Sequence, residues 1–470
     1  MFNHKKMNVN KINSEFLRNK KVHFCGIGGI GMSAIARLMK IKGFDVSGSD
    51  SKNSDIITIL NSENISSKSN HSKSLITQDI GCVVYTSSIN LDENEEIIQA
   101  KSLNIPLIHR ADALRILSEK YKSIAISGTH GKTSNTAILG YIMDKCQKDP
   151  AIICGGIMKE YKANYKFGLG DYMVFEADES DGSFCDTKPE ISMISNVEKD
   201  HMIYHKTLEN IEKLFVDLIS RSKYSVVCID DPILKKIANA SDKIITYGAE
   251  NADFIYKDIT FDADFTTFKI LHKNQEFKVK TLLLGCHNVQ NITGCIAAAS
   301  LAGCDIQQAI DSLSEFSGTM RRFSLIGKID EMLVVDDYAH NPAKILAASN
   351  ACRQYMKMKD KNGRLIGIFQ PHKFSRTAEL YEEFIPNFKN FDKLFVTNVY
   401  SAGETETFGI DLNRFISDIN QKSNCNAEFI EYHDLVQKIK NLSPSANDLA
   451  IFIGAGDITQ YAKNSCDILF

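Results

Sequence analysis

Ser127-Gly128-Thr129-His130-Gly131-Lys132-Thr133-Ser134 is the stretch from which the rest of the chain is read. It follows the apolar run Ser123-Ile124-Ala125-Ile126, which predicts a buried strand. It precedes Thr136-Ala137-Ile138-Leu139-Gly140-Tyr141-Ile142-Met143, whose apolar spacing predicts a helix. Strand, glycine turn, lysine, hydroxyl and helix together make a phosphate cradle. The glycines let backbone N–H groups turn toward anionic oxygens, and the helix start adds partial positive charge. Lys132 would neutralise terminal phosphates, and the Thr133 hydroxyl would hold a magnesium ion. The longer phosphate-loop pattern has a glycine where this chain has Ile126, so the turn is a shortened variant. Taken alone, it also reads as a plain glycine turn between strand and helix.

Upstream, Lys21–Cys25 predicts a strand, Gly26-Ile27-Gly28-Gly29-Ile30-Gly31 a second glycine turn, and Met32 to Met39 an apolar helix. A second strand, Phe44 to Gly48, leads to Ser49-Asp50, an acid about where a dinucleotide fold places its ribose contact. Gly26, Gly28, Gly29, Gly31 and Asp50 are therefore nucleotide-binding candidates, and their spacing alone leaves an NAD-dependent oxidoreductase open. A strand over Cys82 to Thr86 runs into Ser87-Ser88, hydroxyls where a phosphate or sugar can lie, or a helix cap at Ser88. The Ser- and Asn-rich stretch 59–70 predicts loop and a short helix.

Downstream, strand Tyr172–Glu176 delivers Glu176-Ala177-Asp178-Glu179-Ser180-Asp181, and strand Ile191 to Ser195 delivers Asn196 through Asp200-His201. Acids at strand ends beside a phosphate cradle suit a hard cation, which makes Glu176 and His201 metal candidates. The alternatives are a solvated loop acid and a hydrogen-bonded structural histidine. Leu282 through Asn291 opens a small-residue helix, where the Asn288 and Asn291 amides share a face and can read a purine edge beside His287. An asparagine cap with a structural histidine reads equally well. Glycine and paired arginines at Phe316 to Phe323 predict a linker from which Arg322 can reach a triphosphate, or a mere surface arginine. Strands then return at Met332 to Asp336, Leu365 to Phe369, Leu394 to Asn398 and Leu449 to Ile453, with Pro342 suited to the first turn of a helix. Each strand ends in polar groups, and strand–helix alternation predicts mainly parallel sheets with ligands at the carboxyl ends.

The 470 residues, 43% hydrophobic, suffice for about two to four domains. Net charge is -3, and the 55 basic and 58 acidic residues are well mixed, which excludes a basic stripe for nucleic acid or an anionic membrane. Residues 1–19 carry lysines without an apolar core, so neither signal peptide nor membrane anchor is predicted and a cytoplasmic location is expected. The twelve cysteines form no C-x-x-C pair and read as reduced, core-filling thiols.

His23 through Ala34, Gly128 through Thr133, Glu176 through Asp181, Asp200 through Met202, His287-Asn288, Arg321 through Phe323, Asp336 through Tyr338 and Phe369 through His372 occur in one order. In that order they resemble the Mur ligases over roughly residues 20–460. The resemblance implies three α/β domains: a Rossmann-like UDP-sugar-binding domain (1–120), a central P-loop-type ATP-binding domain with a mainly parallel sheet (121–319), and a Rossmann-like amino-acid-binding domain (320–470). It implies an ATP-dependent ligase that joins L-alanine to the lactyl carboxylate of UDP-N-acetylmuramate through an acyl phosphate. A sister ligase that attaches a peptide is the alternative. The first glycine turn, with Ser87 and Ser88, then serves UDP rather than NAD.

By the same resemblance, Gly128, Thr129, His130, Gly131, Lys132, Thr133, Ser134, His287, Asn288, Asn291, Arg322 and Asp337 are expected around ATP. Thr133, Glu176 and His201 are expected around Mg2+, with Mn2+ as a substitute. Tyr338, His340, His372 and Arg376 are expected around the amino acid, with His340 a candidate base. Lys132, Glu176, His201, Arg322 and His340 would form the catalytic set, in a monomer or homodimer. This chain departs from the family at Ser134-Asn135, where threonines are usual, at Cys286 and Lys373, where arginine is usual, and at Asn341, where a second histidine is usual.

Overall fold

Lys21–Cys25 is the middle strand of the first sheet, and Val22, Phe24 and Cys25 are all fully buried, as a strand covered on both faces requires. The computed structural model describes residues 12–86, 88–177, 187–198, 205, 207–238, 243–262 and 265–468. The first sheet is parallel throughout, in the spatial order Ser66–Lys68, Asp45–Ser49, Lys21–Cys25, Ile80–Tyr85, Leu107–His109. Helix Ile30–Ile41 follows the first glycine turn. The stretch 59–70, expected as loop and short helix, instead completes helix Asp55–Ser62 and adds the edge strand Ser66–Lys68. Its polar composition hid the strand. The Asn61 side chain accepts from Ser67 N (2.9 Å) and donates to Ser67 O (3.0 Å), while Ile57, Leu60 and Ile65 supply the buried anchors.

Among the described residues the second sheet has ten strands. Its parallel centre runs Tyr224–Cys228, Ile191–Ile194, Lys122–Ser127, Tyr172–Glu176, Ala151–Met158, and the antiparallel hairpin strand Ala163–Lys166 closes that side. The strand before the phosphate turn is thus central, with helix Lys132–Lys145 leaving from its carboxyl end. The third sheet runs Asn426–Phe429, Lys393–Val396, Leu365–Phe369, Leu449–Ile453, Met332–Asp337, Ser324–Ile329, Asp467–Ile468, with only the last two pairings antiparallel. A three-domain α/β architecture with mainly parallel sheets results. Among the described residues no helix is long and apolar enough to cross a membrane.

Two compact units emerge. One comprises Met1–Lys257, Lys269–Val279 and Gln290–Phe316; the other Asp258–Phe268, Lys280–Val289 and Ser317–Phe470. The first two sheets share a unit because helix Ile30–Ile41 packs on the 151–166 hairpin. Asn164 Nδ2 donates to Ile30 O (2.9 Å), and the Arg37 guanidinium lies 4.7 Å from the Tyr165 ring centroid.

A polar network lies inside the first sheet. Glu96, fully buried, accepts from His23 Nε2 (3.3 Å), Ser49 Oγ (2.7 Å) and Ser72 N (3.1 Å). Because Ser49 gives its proton to Glu96, His71 Nδ1 donates to Ser49 Oγ (2.7 Å).

Candidate active site

Two glycines shape the phosphate turn. Gly128 has φ +126°, and a side chain there would run into Ser195 Oγ; Gly131 has φ +84° and caps helix Lys132–Lys145. The neighbouring strand end clamps the turn. Asn196 Oδ1 accepts from His130 N (2.7 Å), Asn196 Nδ2 donates to His130 O (3.1 Å), and Ser195 Oγ donates to the same carbonyl (2.7 Å). Glu198 N donates to Thr129 Oγ1 (2.9 Å), and the Glu198 carboxylate lies 3.1 Å from His130 Nε2.

Lys132 arches back over the turn, its Nζ donating to Gly128 O (2.8 Å) and Thr129 O (3.5 Å). Thr133 Oγ1 donates to Glu176 Oε2 (3.3 Å), and the other Glu176 oxygen accepts from Gly155 N. Thr133 and Glu176 therefore present oxygen donors side by side at the helix start, a donor set that fits a hard divalent cation. Ser134 follows in the first helical turn. His201, the third expected ligand, lies outside the described residues.

Asn291 is nearly buried, and its Oδ1 sits 3.2 Å from where a Cβ on Gly131 would stand, so it lies against the phosphate turn. In the other unit, Asn288 Nδ2 donates to Leu284 O (2.8 Å), and the His287 ring folds over Gly285.

At the first glycine turn, Gly26 has φ +87°, and its N–H and that of Ile27 donate to Ser49 O (2.8 and 2.9 Å). Asp50 Oδ2 accepts from Gly28 N (2.9 Å), so here the acid braces the turn. Gly29 caps helix Ile30–Ile41. A Cβ on Gly31 would lie 2.8 Å from Arg110 Nη1, so a guanidinium stands over this turn. Ser88 Oγ pairs with Thr86 Oγ1 (2.6 Å) and caps no helix; Ser87 lies outside the described residues.

In the second unit, Asp337 accepts from Phe323 N and Ala339 N (2.8 Å each), which holds the arginine pair against strand Met332–Asp337. Arg321 donates to Gly454 O (2.7 Å), while Arg322 rests 5.4 Å from the Tyr338 ring centroid. Burial, only partly offset by Arg321, pushes Asp336 up to about 6.

His340 Nδ1 lies 2.9 Å from Tyr338 O. A carbonyl only accepts, so Nδ1 carries the proton and Nε2 is left with its lone pair. Burial, reinforced by Lys344 and Arg376, holds His340 well below the ordinary imidazole range. His372 lies 6.1 Å from His340 between ring centroids, stacks on Tyr400 (5.4 Å, 17°), and accepts from Arg376 Nη1 at Nδ1 (3.2 Å). Burial, then the Arg376 and Lys373 charges, lowers it to about 4. Tyr338, His340, His372 and Arg376 thus follow the ends of two strands that flank Leu449–Ile453, with two neutral imidazoles and a guanidinium gathered there.

One departure from the family pattern, Asn341, has a local explanation. Asn341 caps helix Pro342–Met358 by accepting from Lys344 N (3.0 Å), a role asparagine fills well. Lys373 stands at φ +70° before helix Phe374–Glu379, its N–H donating to Tyr400 O (2.8 Å).

Asn196, Glu198, Arg110, Tyr400 and Glu404 also serve these turns. Glu404 pins the second helix by accepting from Ser375 N (3.1 Å). None follows a diagnostic spacing; only their position just past strand ends, shared with the predicted residues, could have found them.

Three family models match in sequence order: Mur ligase family, catalytic domain, over residues 21–122; Mur ligase middle domain, over 126–299; and Mur ligase, glutamate ligase domain, over 321–456. A UDP-N-acetylmuramate--L-alanine ligase of Clostridium kluyveri is 36% identical over 456 residues, covering 96% of this chain and 98% of that protein. The crystal structure of a UDP-N-acetylmuramate-alanine ligase from Thermotoga maritima superposes with TM-score 0.78 at 28% identity, covering 95% of this chain and 98% of that one. A murein peptide ligase of Psychrobacter arcticus, 20% identical with TM-score 0.68 over 95% of this chain and 98% of its own, shares the fold. With its phosphate turn, its three sheets and these full-length likenesses, the chain belongs to the Mur ligase family.

Proposed function

We propose that the chain joins L-alanine to the lactyl carboxylate of UDP-N-acetylmuramate at the expense of ATP, a step in the synthesis of peptidoglycan precursors. The observation that carries this is the 36% identity to the Clostridium kluyveri ligase over nearly the whole of both chains. We assign the UDP-sugar to the first glycine turn (1–120), ATP to the phosphate turn and its segment (121–319), and the amino acid to 320–470, in the cytoplasm.

The chemistry follows from charge. A carboxylate is a poor electrophile, so its oxygen first attacks the γ-phosphorus, ADP leaves, and an acyl phosphate remains. Lys132, at the turn, and Arg322 offset charge on the transferred oxygens. Magnesium, or manganese in its place, bound by Thr133 and Glu176, would neutralise phosphate charge. The amine then attacks the acyl carbon, and phosphate departs with a carboxylate-derived oxygen. His340, neutral with its Nε2 lone pair available, is suited to take the amine proton. Arg376 is suited to grip the amino-acid carboxylate.

Phosphate release tests the reading. With UDP-N-acetylmuramate, ATP and magnesium, L-alanine is expected to drive release faster than L-serine, glycine or the peptide accepted by the sister ligase. Preference for the peptide would favour that sister activity, and equal release without any acceptor would sink the ligase reading. A narrower expectation concerns Arg376→Lys: the KM for L-alanine should rise roughly tenfold or more, with the KM for ATP little changed, because lysine has no planar fork. Steady-state kinetics with each substrate varied in turn checks it.

A further inference from the structure

Cys25 ends the middle strand of the first sheet, His71 follows edge strand Ser66–Lys68, and Glu96 stands in the first turn of helix Glu95–Ser102. Three separate segments thus bring their donor atoms together. Cys25 Sγ lies 3.8 Å from His71 Nδ1, His71 Nδ1 lies 3.4 Å from Glu96 Oε2, and all three atoms fall within 4.8 Å of one another. Among the described residues no other trio of histidine, cysteine or acidic donors comes as close. Zinc, held at about 2.3 Å by sulfur and about 2.0 Å by nitrogen or oxygen, spaces its ligands roughly 3.3–3.8 Å apart in a tetrahedron. The sulfur–nitrogen and nitrogen–oxygen spacings here have that size.

One nitrogen, moreover, faces three partners. His71 Nδ1 has Ser49 Oγ at 2.7 Å besides Cys25 and Glu96, and a single ring nitrogen holds only one proton or one lone pair. Without metal the Ser49 bond takes it, and the Cys25 thiol stands beside an atom already committed. A cation at the centre of the three would engage sulfur, nitrogen and oxygen together. Groups behind the donors already hold them in place: Ser72 N donates to the other Glu96 oxygen (3.1 Å), and His23 Nε2 lies 3.3 Å from Oε2. Cys25 and Glu96 are fully enclosed, whereas the His71 side chain is 18% exposed and provides the way in. Burial, then the Glu96 charge, pushes the Cys25 thiol up, so without a cation it keeps its proton.

We propose that Cys25, His71 and Glu96 form a zinc site with water in the fourth position. Zinc takes the thiolate, the Nδ1 lone pair and the carboxylate; the Cys25 proton leaves to solvent, and His71 keeps its proton on Nε2. Ser49 Oγ then hydrogen-bonds the carboxylate alone. The negative charges of thiolate and carboxylate balance the dication inside the fold. A thiolate ligand selects zinc or cobalt over magnesium, which separates this site from the oxygen donors of Thr133 and Glu176. The metal ties the end of strand Lys21–Cys25, which opens directly into the first glycine turn, to helix Glu95–Ser102.

Full-length protein stripped with EDTA and titrated with cobalt(II) reports the site by absorption, because a thiolate ligand gives cobalt an intense near-ultraviolet charge-transfer band. One equivalent of cobalt should saturate the band, zinc should abolish it, and an excess of magnesium should leave it intact. Zinc should also raise Tm by roughly 3–8 °C. Cys25→Val, which suits a buried strand, should lose the band and the rise in Tm. His71→Ala, a change at a half-buried side chain, should weaken cobalt binding by about tenfold or more, and it carries the test if Cys25→Val does not fold. No charge-transfer band in the original chain, a band of full strength in Cys25→Val, or unchanged cobalt affinity in His71→Ala would overturn the proposal.

Discussion

Lys132→Ala is expected to lower kcat by about a thousandfold while leaving the affinity for UDP-N-acetylmuramate within about twofold of its original value. The side chain arches over the phosphate turn with Nζ on the Gly128 and Thr129 carbonyls, which places the ammonium where transferred phosphate oxygens would gather charge. Removing it leaves the glycine geometry and the Asn196 clamp in place, so the loss should fall on the reacting state rather than on folding. The first glycine turn belongs to a different sheet and is braced by Asp50 and Ser49. Rapid-quench measurement of phosphoryl transfer, paired with calorimetric binding of the UDP-sugar, separates the two quantities. Parallel loss of both would contradict the division of labour between the two turns.

Glu96→Ala should be the most damaging single change to stability, about 3–5 kcal/mol and a Tm lower by roughly 5–10 °C. The carboxylate is wholly buried, and its removal leaves the donors of His23, Ser49 and Ser72 without their acceptor. Exposed Glu95, one residue earlier, should cost under about 1 kcal/mol when changed to alanine.

The network also gives stability a pH signature. Burial pushes Glu96 upward, but hydrogen bonds from His23 and His71, the His23 charge and Ser49 outweigh it and leave the carboxyl well below its usual range. Hydrogen bonding to Glu96, opposed by burial, raises His71. A depressed carboxyl contributes fully above its unfolded value of 4.5 and loses its contribution as pH falls through the folded value. A raised imidazole contributes fully below 6.5 and loses its contribution as pH rises through the folded value. The combined contribution should therefore peak between pH 4.5 and 6.5. Urea melts across pH should show a stability difference between Glu96→Ala and the original chain that is widest in that window; a flat difference would refute the network's role.

Sequence periodicity located the buried strands well because both faces of a parallel sheet are apolar, as in Tyr172–Glu176 and Leu449–Ile453. It failed at Ser66–Lys68, where an edge strand of polar residues is held by the Asn61 amide rather than by its own hydrophobicity. Motif spacing singled out Lys132 and Thr133 because they sit in one turn, whereas His340, His372 and Arg376 were expected only from the family resemblance, since they follow two different strands. It missed Arg110 and Asn196, which reach the turns from other strands, since the long-range pairing that delivers them leaves no local trace. Asp50 and Asp337, expected beside ligands, also accept backbone N–H groups, Asp50 that of Gly28 and Asp337 those of Phe323 and Ala339.

The Asn164 bond to Ile30, with Arg37 lying over Tyr165, joins the two glycine turns through one body. With sugar acid and nucleotide seated as proposed, nucleophile and electrophile of the first step would ride on a common chassis. Their mutual orientation would be set at folding rather than found anew at each turnover, which removes part of the entropic cost of an encounter in free solution. Loosening that joint by Asn164→Ala would then tax the speed of anhydride formation while sparing the affinity for either reactant.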